Sequence, residues 1–314
     1  MFVTRQGASP LRIGTRGSPL ALVQANDVRD RLLAHSPDLA ERGVAIEVIK
    51  TSGDRIQDRN LAEIGGKGLF TKEIEEALLG RRVDLAVHSM KDMPTVLPPG
   101  LCLAVVLPRE DARDVLISTD ATTLAALPQG TIVGTSSLRR RAQLLHRRPD
   151  LRIVDFRGNV DTRLKKLQDG VAAATILARA GLNRLGRADV AGDLLAPEDF
   201  LPAVAQGIVT VECRADDEET LALVAPLGDV ATQQSADAER ALLRELDGSC
   251  RTPIAGYAVH DEGDLWLRGL VVAPDGTKAV AGARRGSTSN AAALGTDLGQ
   301  ELMSKAGDIL ASLS

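Results

Sequence analysis

Short β-type runs alternate with amphipathic helical patterns along the first two thirds of the chain, and no other feature constrains its fold as much. The run at 11–15 leads into a helical pattern to about residue 35, opened by Ser18-Pro19, with Leu20, Val23, Val28 and Leu32 on one face. A run at 44–51 follows, then a helix at 69–81 with Glu early and Arg late, as the helix dipole favours, and runs at 85–90 and 101–107. The pattern then restarts: runs at 114–118 and 131–135, a helix at 136–148, a run at 151–156, a helix at 159–168 and a run at 172–177. Alternation of this kind predicts βαβ units, with mainly parallel sheets covered by helices. Two such blocks predict two α/β domains, and 314 residues suffice for two or three domains. The run at 207–214 is a further strand that the pattern alone does not place.

Later in the chain the rhythm changes. A helix at 235–246 precedes the turn sequence Asp247-Gly248-Ser249-Cys250. Runs at 256–259, 265–272 and 278–284 follow with short connections, one of them Pro274-Asp275-Gly276. They read as an antiparallel sheet, and a long helix at 291–313 completes an α+β domain.

Composition excludes some functions. Aromatics make up 2% of the chain, too few for a platform on which single-stranded nucleic acid would stack. A net charge of −4 argues against a whole-chain polyanion binder. Thirty of the 38 basic residues are nevertheless Arg. Genomic composition accounts for such a bias; so does a need for planar forks that grip carboxylate or phosphate. Residues 1–10 hold no signal-peptide run, and no window approaches 18 consecutive apolar residues. Cys102, Cys213 and Cys250 lie far apart, without CxxC spacing, so neither a disulfide framework nor a metal site is expected. The expectation is a reduced, cytoplasmic protein with no membrane partner.

Five places carry chemistry. Thr15-Arg16-Gly17-Ser18-Pro19 sits where a strand ends and a helix begins, the ligand-binding edge of an open α/β sheet. Ser18 reads as a helix cap, and Arg16 beside it makes an anion site. Thr135-Ser136-Ser137-Leu138-Arg139-Arg140 repeats the arrangement in the second block. From Arg139 to Arg163 eight Arg stand against Asp150, Asp155 and Asp161, a net +5. A basic helix of this kind is a solvated face or a polyanion cleft. The placing of Arg139/Arg140 and Arg157-Gly158-Asn159 at strand-to-helix turns favours the cleft. Gly65-Gly66-Lys67-Gly68 is a loop or lid rather than a phosphate loop, because Leu61 stands where the first Gly would be and Gly68 follows Lys67. His88-Ser89-Met90-Lys91-Asp92-Met93-Pro94 ends a hydrophobic strand, and Lys91 and Asp92 there are active-site residues or a surface ion pair. Cys250, after a Gly-Ser turn, is an exposed thiol or a small buried hydrophobe.

Taken together these stretches resemble one family. LRIGTRGSPLAL, GGKGLFTKEIE, DLAVHSMKDMP, IVGTSSLRRRAQL, FRGNVDTRL, LPAVAQG and DGSCRTPIAGY, in this order, are similar to the porphobilinogen deaminases (hydroxymethylbilane synthases) of tetrapyrrole biosynthesis, over nearly the whole chain. The resemblance implies two α/β domains like the lobes of periplasmic binding proteins, at 11–107 with 207–225 and at 108–206, and a C-terminal α+β domain with an antiparallel sheet at 226–314. It implies a monomeric transferase that condenses four porphobilinogen molecules, each losing ammonia, on a dipyrromethane cofactor, and frees the linear tetrapyrrole by hydrolysis. By resemblance the cofactor hangs from Cys250 by a thioether and Asp92 is catalytic. The resemblance further implies that Arg16, Ser18, Lys91, Ser137, Arg139, Arg140, Arg157, Arg163, Arg184 and Gln206 bind cofactor and substrate, and that Lys67 and Phe70 belong to a substrate loop. Porphobilinogen carries an acetate and a propionate, which suits the Arg clusters. Two departures stand out: Glu63 where some members have Lys, and Ala205-Gln206-Gly207 in place of Gly-Gln-Gly. The other functions weighed are a two-lobed organic-anion binding protein without catalysis, which leaves Cys250 and the third domain unexplained, and a nucleotide-dependent enzyme, which lacks a phosphate loop.

Overall fold

The computed structural model describes residues 9–55, 68–190, 192–248 and 252–311. In the first lobe β1 (Leu11–Thr15), α1 (Pro19–His35), α2 (Asp38–Arg42), β2 (Val44–Val48), α3 (Ser52–Arg55), α4 (Lys72–Leu79), β3 (Leu85–Ser89) and β4 (Leu101–Val106) follow one another. The second holds β5 (Asp114–Ser118), β6 (Ile132–Gly134), α5 (Leu138–Arg147), β7 (Arg152–Val154), α6 (Val160–Gln168), β8 (Ala174–Ala178), α7 (Arg179–Arg184) and β9 (Asp193–Leu195). Then β10 (Val209–Arg214) and α8 (Glu218–Val224) lead to the last unit: α9 (Val230–Glu245), β11 (Ile254–Asp261), β12 (Asp264–Val272), β13 (Ala279–Ser287) and α10 (Ala291–Ala311).

Two five-stranded sheets have the same plan. Their orders are β2-β1-β3-β10-β4 and β7-β6-β8-β5-β9. In each, four strands point the same way and one runs against its neighbours: β10 against β3 and β4, β5 against β8 and β9. The sheets are therefore mainly parallel, as expected, each with one reversed strand. The reversed strands are those by which the chain crosses between lobes, so each enters its sheet from the opposite side. This also places 207–214, which belongs to the first lobe's sheet. The last unit has an antiparallel β11-β12-β13 sheet under α9 and α10.

The two crossing segments lie side by side. Gly207 has φ +89°, and a Cβ there would sit 2.3 Å from the Glu110 carbonyl oxygen, so only glycine fits. Ala205 also has positive φ, at +59°. The strain it adds is offset by its amide, which donates to buried Glu239 at 2.6 Å.

Caps set most helix starts. Ser18, Ser137 and Asn159 each accept a backbone N–H of the first turn of α1, α5 and α6. Asp229 does the same for Thr232, which is why α9 begins at 230 and not at 235. With few aromatics, the cores are Leu, Val, Ile and Ala, with Phe156 and Phe200 fully buried in the second lobe. Among the described residues no helix is long and apolar enough to cross a membrane.

Candidate active site

The C-terminal ends of β1 and β3 form one wall of a cleft. β1 delivers Arg16 and Ser18, and β3 runs out into a single 3₁₀ turn, Met90–Asp92, that carries Lys91 and Asp92. The turn is pinned by the Met90 amide on the Ile208 carbonyl at 2.9 Å. Gln24 of α1 bonds Ser89 at 2.9 Å, tying helix to strand beneath it. Arg16, Ser18, Phe70, His88, Lys91 and Asp92 line one pocket. Arg16 lies against the Phe70 ring, 4.1 Å from its centroid, and its fork grips Asp54 at 2.5 Å.

The facing wall is α5 and the turn before α6. Arg139 and Arg140 each donate to Asp114, the first residue of β5, at 2.7 Å, and to the carbonyls of Leu201 and Ile176. Gln206 adds a third donor to Asp114 at 2.9 Å. Burial alone would raise the Asp114 carboxyl; the two guanidiniums overcome it and hold the carboxyl far below the usual range. Both guanidiniums are thus held in place by the protein itself.

Arg157, in the turn before α6, and Arg163, on α6, add further positive charge. The Arg163 guanidinium is pushed down to about 10, first by burial and then by Arg140 and Arg157. It donates to the Gly158 carbonyl at 3.0 Å and has no carboxylate partner among the described residues. The two walls sense each other. Lys91 is pushed down to about 8, first by burial, with Asp92 opposing and Arg140 and Arg139 adding to the fall. A concentration of cations that repel one another in a partly desolvated cleft fits a ligand rich in carboxylates, and each charged hydrogen bond there is worth about 1.5–3 kcal/mol.

Other expected residues fall elsewhere. Ser137 caps α5, accepting the Arg140 amide at 3.4 Å. Arg184, at the end of α7, bonds the Gly207 carbonyl at 2.8 Å, and Gln206 is buried next to Gly207, so both sit at the crossing segments. Lys67, Glu63 and Cys250 lie outside the described residues. The sequence reading missed the acids that set these cations: Asp54, Asp114 and, behind the turn, Glu212. A charged residue heading the otherwise apolar Asp114–Ser118 strand is the one local signal of such a role. No group of three or more His, Cys, Asp or Glu among the described residues is arranged to hold a metal ion.

Comparison with known proteins gives the family. Residues 11–222 match the model of the porphobilinogen deaminase dipyromethane cofactor binding domain, and residues 234–304 that of the porphobilinogen deaminase C-terminal domain. Porphobilinogen deaminase of Paracoccus denitrificans is 57% identical over 95% of both chains. The chloroplastic porphobilinogen deaminase of Pisum sativum is 52% identical over 97% of this chain and 84% of its own. A Salmonella typhimurium periplasmic binding protein superposes with a TM-score of 0.40 at 14% identity, over 72% of this chain and 94% of its own. Two family domains in series, and relatives at more than half identity along nearly the full length, make this chain a member of the porphobilinogen deaminase family.

Proposed function

We propose that the chain joins four porphobilinogen molecules, each losing ammonia, to a dipyrromethane carried on Cys250, and releases hydroxymethylbilane by hydrolysis. The reading rests on one observation: Lys91, beside Asp92 on one wall, lies within electrostatic reach of Arg139 and Arg140 on the other, and Arg140 in turn of Arg163. The Asp92 carboxylate thus stands among cations that suit a ligand bearing an acetate and a propionate on each ring. An organic-anion binder without catalysis is not what the family matches support.

The residues present fit the cofactor. Arg157, Arg163, Lys91 and Arg16 would hold its carboxylates, Ser18 and Ser137 would orient it, and Cys250 would anchor it. When bound, that group supplies the pyrrole end to which substrate units are joined. The protein's own part is electrostatic. As the aminomethyl C–N bond of the substrate breaks, positive charge develops on the substrate ring, and the Asp92 carboxylate can stabilise it and accept a pyrrole N–H. Burial around the Lys91–Asp92 turn excludes water and strengthens that interaction.

Within this reading the working units are 11–107 with 207–225, 108–206 and 226–314, in a cytoplasmic monomer. The units are supported by the two crossings of the chain and by the separate third sheet. Intact-mass measurement tests the core of it. The purified protein should exceed its sequence mass by two linked pyrroles, and peptide mapping should place them on Cys250. An unmodified mass in a fully active preparation contradicts the proposal.

A further inference from the structure

Behind the Lys91–Asp92 turn lies a group of buried titratable side chains that the reading above does not use. His88, on β3, lines the same pocket as Asp92. Its Nε2 is 3.1 Å from Oε2 of Glu212 on β10, and the two side chains are 4% and 0% exposed. Glu75 of α4, 7% exposed, completes the group. Oε1 of Glu212 and Oε1 of Glu75 are both buried without a hydrogen-bond partner.

Charge decides what these groups carry. Two ionised carboxylates and a neutral imidazole would bury two negative charges together. The other titratable groups nearby are Glu76 on α4 and Cys102 on β4, neither of them a cation. Arg214, two residues beyond Glu212, is turned to Asp217 and to the carbonyls of Leu78 and Val83. Lys91 and Asp92 lie beyond the end of β3. An uncompensated buried charge is neutralised by a proton instead. Glu75 is the member that takes it: burial first, and then Glu212, raise its carboxyl above the usual range, against the opposing effects of Thr71 and His88. Glu212 Oε2 is placed to receive Nε2–H from His88. That bond fixes the tautomer and leaves Nδ1 with its lone pair, and Nδ1 has no partner among the described residues.

We propose that His88 is a proton carrier of this site, oriented by Glu212 and backed by Glu75 as a neutral acid. The step rests on the deamination proposed above. When a substrate-derived pyrrole carbon gives up its hydrogen, the C–H electron pair returns to the ring and the proton goes to Nδ1. The imidazolium so formed is paired with Glu212. It then passes the proton to the lone pair of the departing ammonia, giving ammonium and neutral imidazole, so no proton is gained or lost overall.

The test uses the cofactor-loaded protein, with loading checked by intact mass, so that failure of the general reading is seen in the wild type itself. Nitrogen NMR of the imidazoles, with His88 identified by its loss in His88→Gln, should show Nε2–H and an unprotonated Nδ1 at neutral pH. The opposite tautomer overturns the proposal. His88→Gln keeps a donor toward Glu212 and removes the Nδ1 lone pair. It should lower kcat about a hundredfold, leave KM within about threefold, and enlarge the isotope effect with substrate deuterated at its free pyrrole carbon. A kcat within threefold of wild type, or a loss with no change in isotope effect, assigns His88 to structure only. Glu75→Gln supplies a measurement independent of turnover. A raised folded pKa means that stability falls as pH rises above the ordinary Glu value, and the amide removes that fall. The variant should gain on wild type in thermal unfolding as pH increases from about 5 to 9, whereas a constant difference shows that Glu75 is not the proton holder.

Discussion

Arg16 and Asp54 close on each other at 2.5 Å, with the Phe70 ring stacked on the guanidinium. Asp54 thus occupies the fork that a ligand carboxylate would use. Burial raises its carboxyl, but hydrogen bonds from Arg16 and Thr51 outweigh this and hold it below the usual range. A depressed carboxyl contributes stability above its unfolded pKa and loses it as pH falls through the folded value. At neutral pH the pair is therefore intact, and a ligand has to compete with it. The pair is partly exposed, which limits its worth to about 1 kcal/mol.

Asp54→Asn should free the fork and lower KM for substrate up to about fivefold, since that energy is less than one decade. Calorimetry with a small dicarboxylate should show the same gain. Weaker binding in Asp54→Asn would mean that Asp54 instead holds Arg16 in its working position.

The Asp114 network separates two kinds of arginine. Arg139 and Arg140 are 5% and 7% exposed and both donate to Asp114. Asp114→Asn leaves two buried guanidiniums uncompensated, which costs about 3–5 kcal/mol. Thermal unfolding should fall by on the order of 10 °C. Arg139→Lys should likewise lose stability, while Arg157→Lys should raise KM with normal unfolding, because it loses a fork toward ligand and not toward the core. Equal behaviour of the two variants would contradict this division.

How far the sequence was legible follows from what each feature depends on. Caps at Ser18, Ser137 and Asn159 depend on the next three residues, so they are readable locally. The ligand edge is readable too, because the strand-to-helix turns carry Arg16, Asp92 and Arg157 in plain view. The pairing of Asp114 with Arg139 spans 25 residues and that of His88 with Glu212 spans 124. Only the crossing strands bring these together, and strand order is a tertiary outcome that periodicity does not encode. The acid that grips Arg139 and Arg140 is hidden for the same reason, since it sits at the head of a strand remote from them in sequence. Short elements such as α7, α8 and β9 carry too few turns of pattern to be seen.

The cysteines differ in what they can do. Cys213 is fully buried and its thiol is pushed up to about 12, first by burial and then by Cys102 opposite it in the β10–β4 register. Burial and Glu212 raise Cys102 as well. Neither is a ready nucleophile at neutral pH. Cys102→Ala and Cys213→Ala should keep the cofactor mass and most activity, with some loss of stability for the buried Cys213. Cys250→Ala should lose both cofactor and turnover. Loss of the cofactor mass from either of the first two would remove Cys250 from its proposed role.

Asp92 is placed to be tested without disturbing the fold. Its turn is held by backbone bonds, Met90 to Ile208 and Met93 to Met90, rather than by its side chain. Asp92→Asn keeps the shape and removes the charge. An ion pair at about 4 Å with an effective dielectric near 20 is worth roughly 4 kcal/mol, and at about 1.36 kcal/mol per decade its loss should slow turnover on the order of a thousandfold. Asp92→Glu keeps the charge one methylene away and should retain partial activity. Lys91 supplies an independent readout, because Asp92 is the main influence keeping its ammonium from falling below about 8. With the charge removed, Lys91 should lose its proton at lower pH. The alkaline rise in KM, set by loss of a cation that holds ligand carboxylates, should then begin at lower pH in Asp92→Asn and stay in place in Asp92→Glu. Turnover in the order wild type, Glu, Asn, with equal thermal unfolding and this displaced alkaline limb, is the expected outcome. A near-wild-type rate in Asp92→Asn would leave the carboxylate outside the chemistry, whatever the behaviour of Lys91.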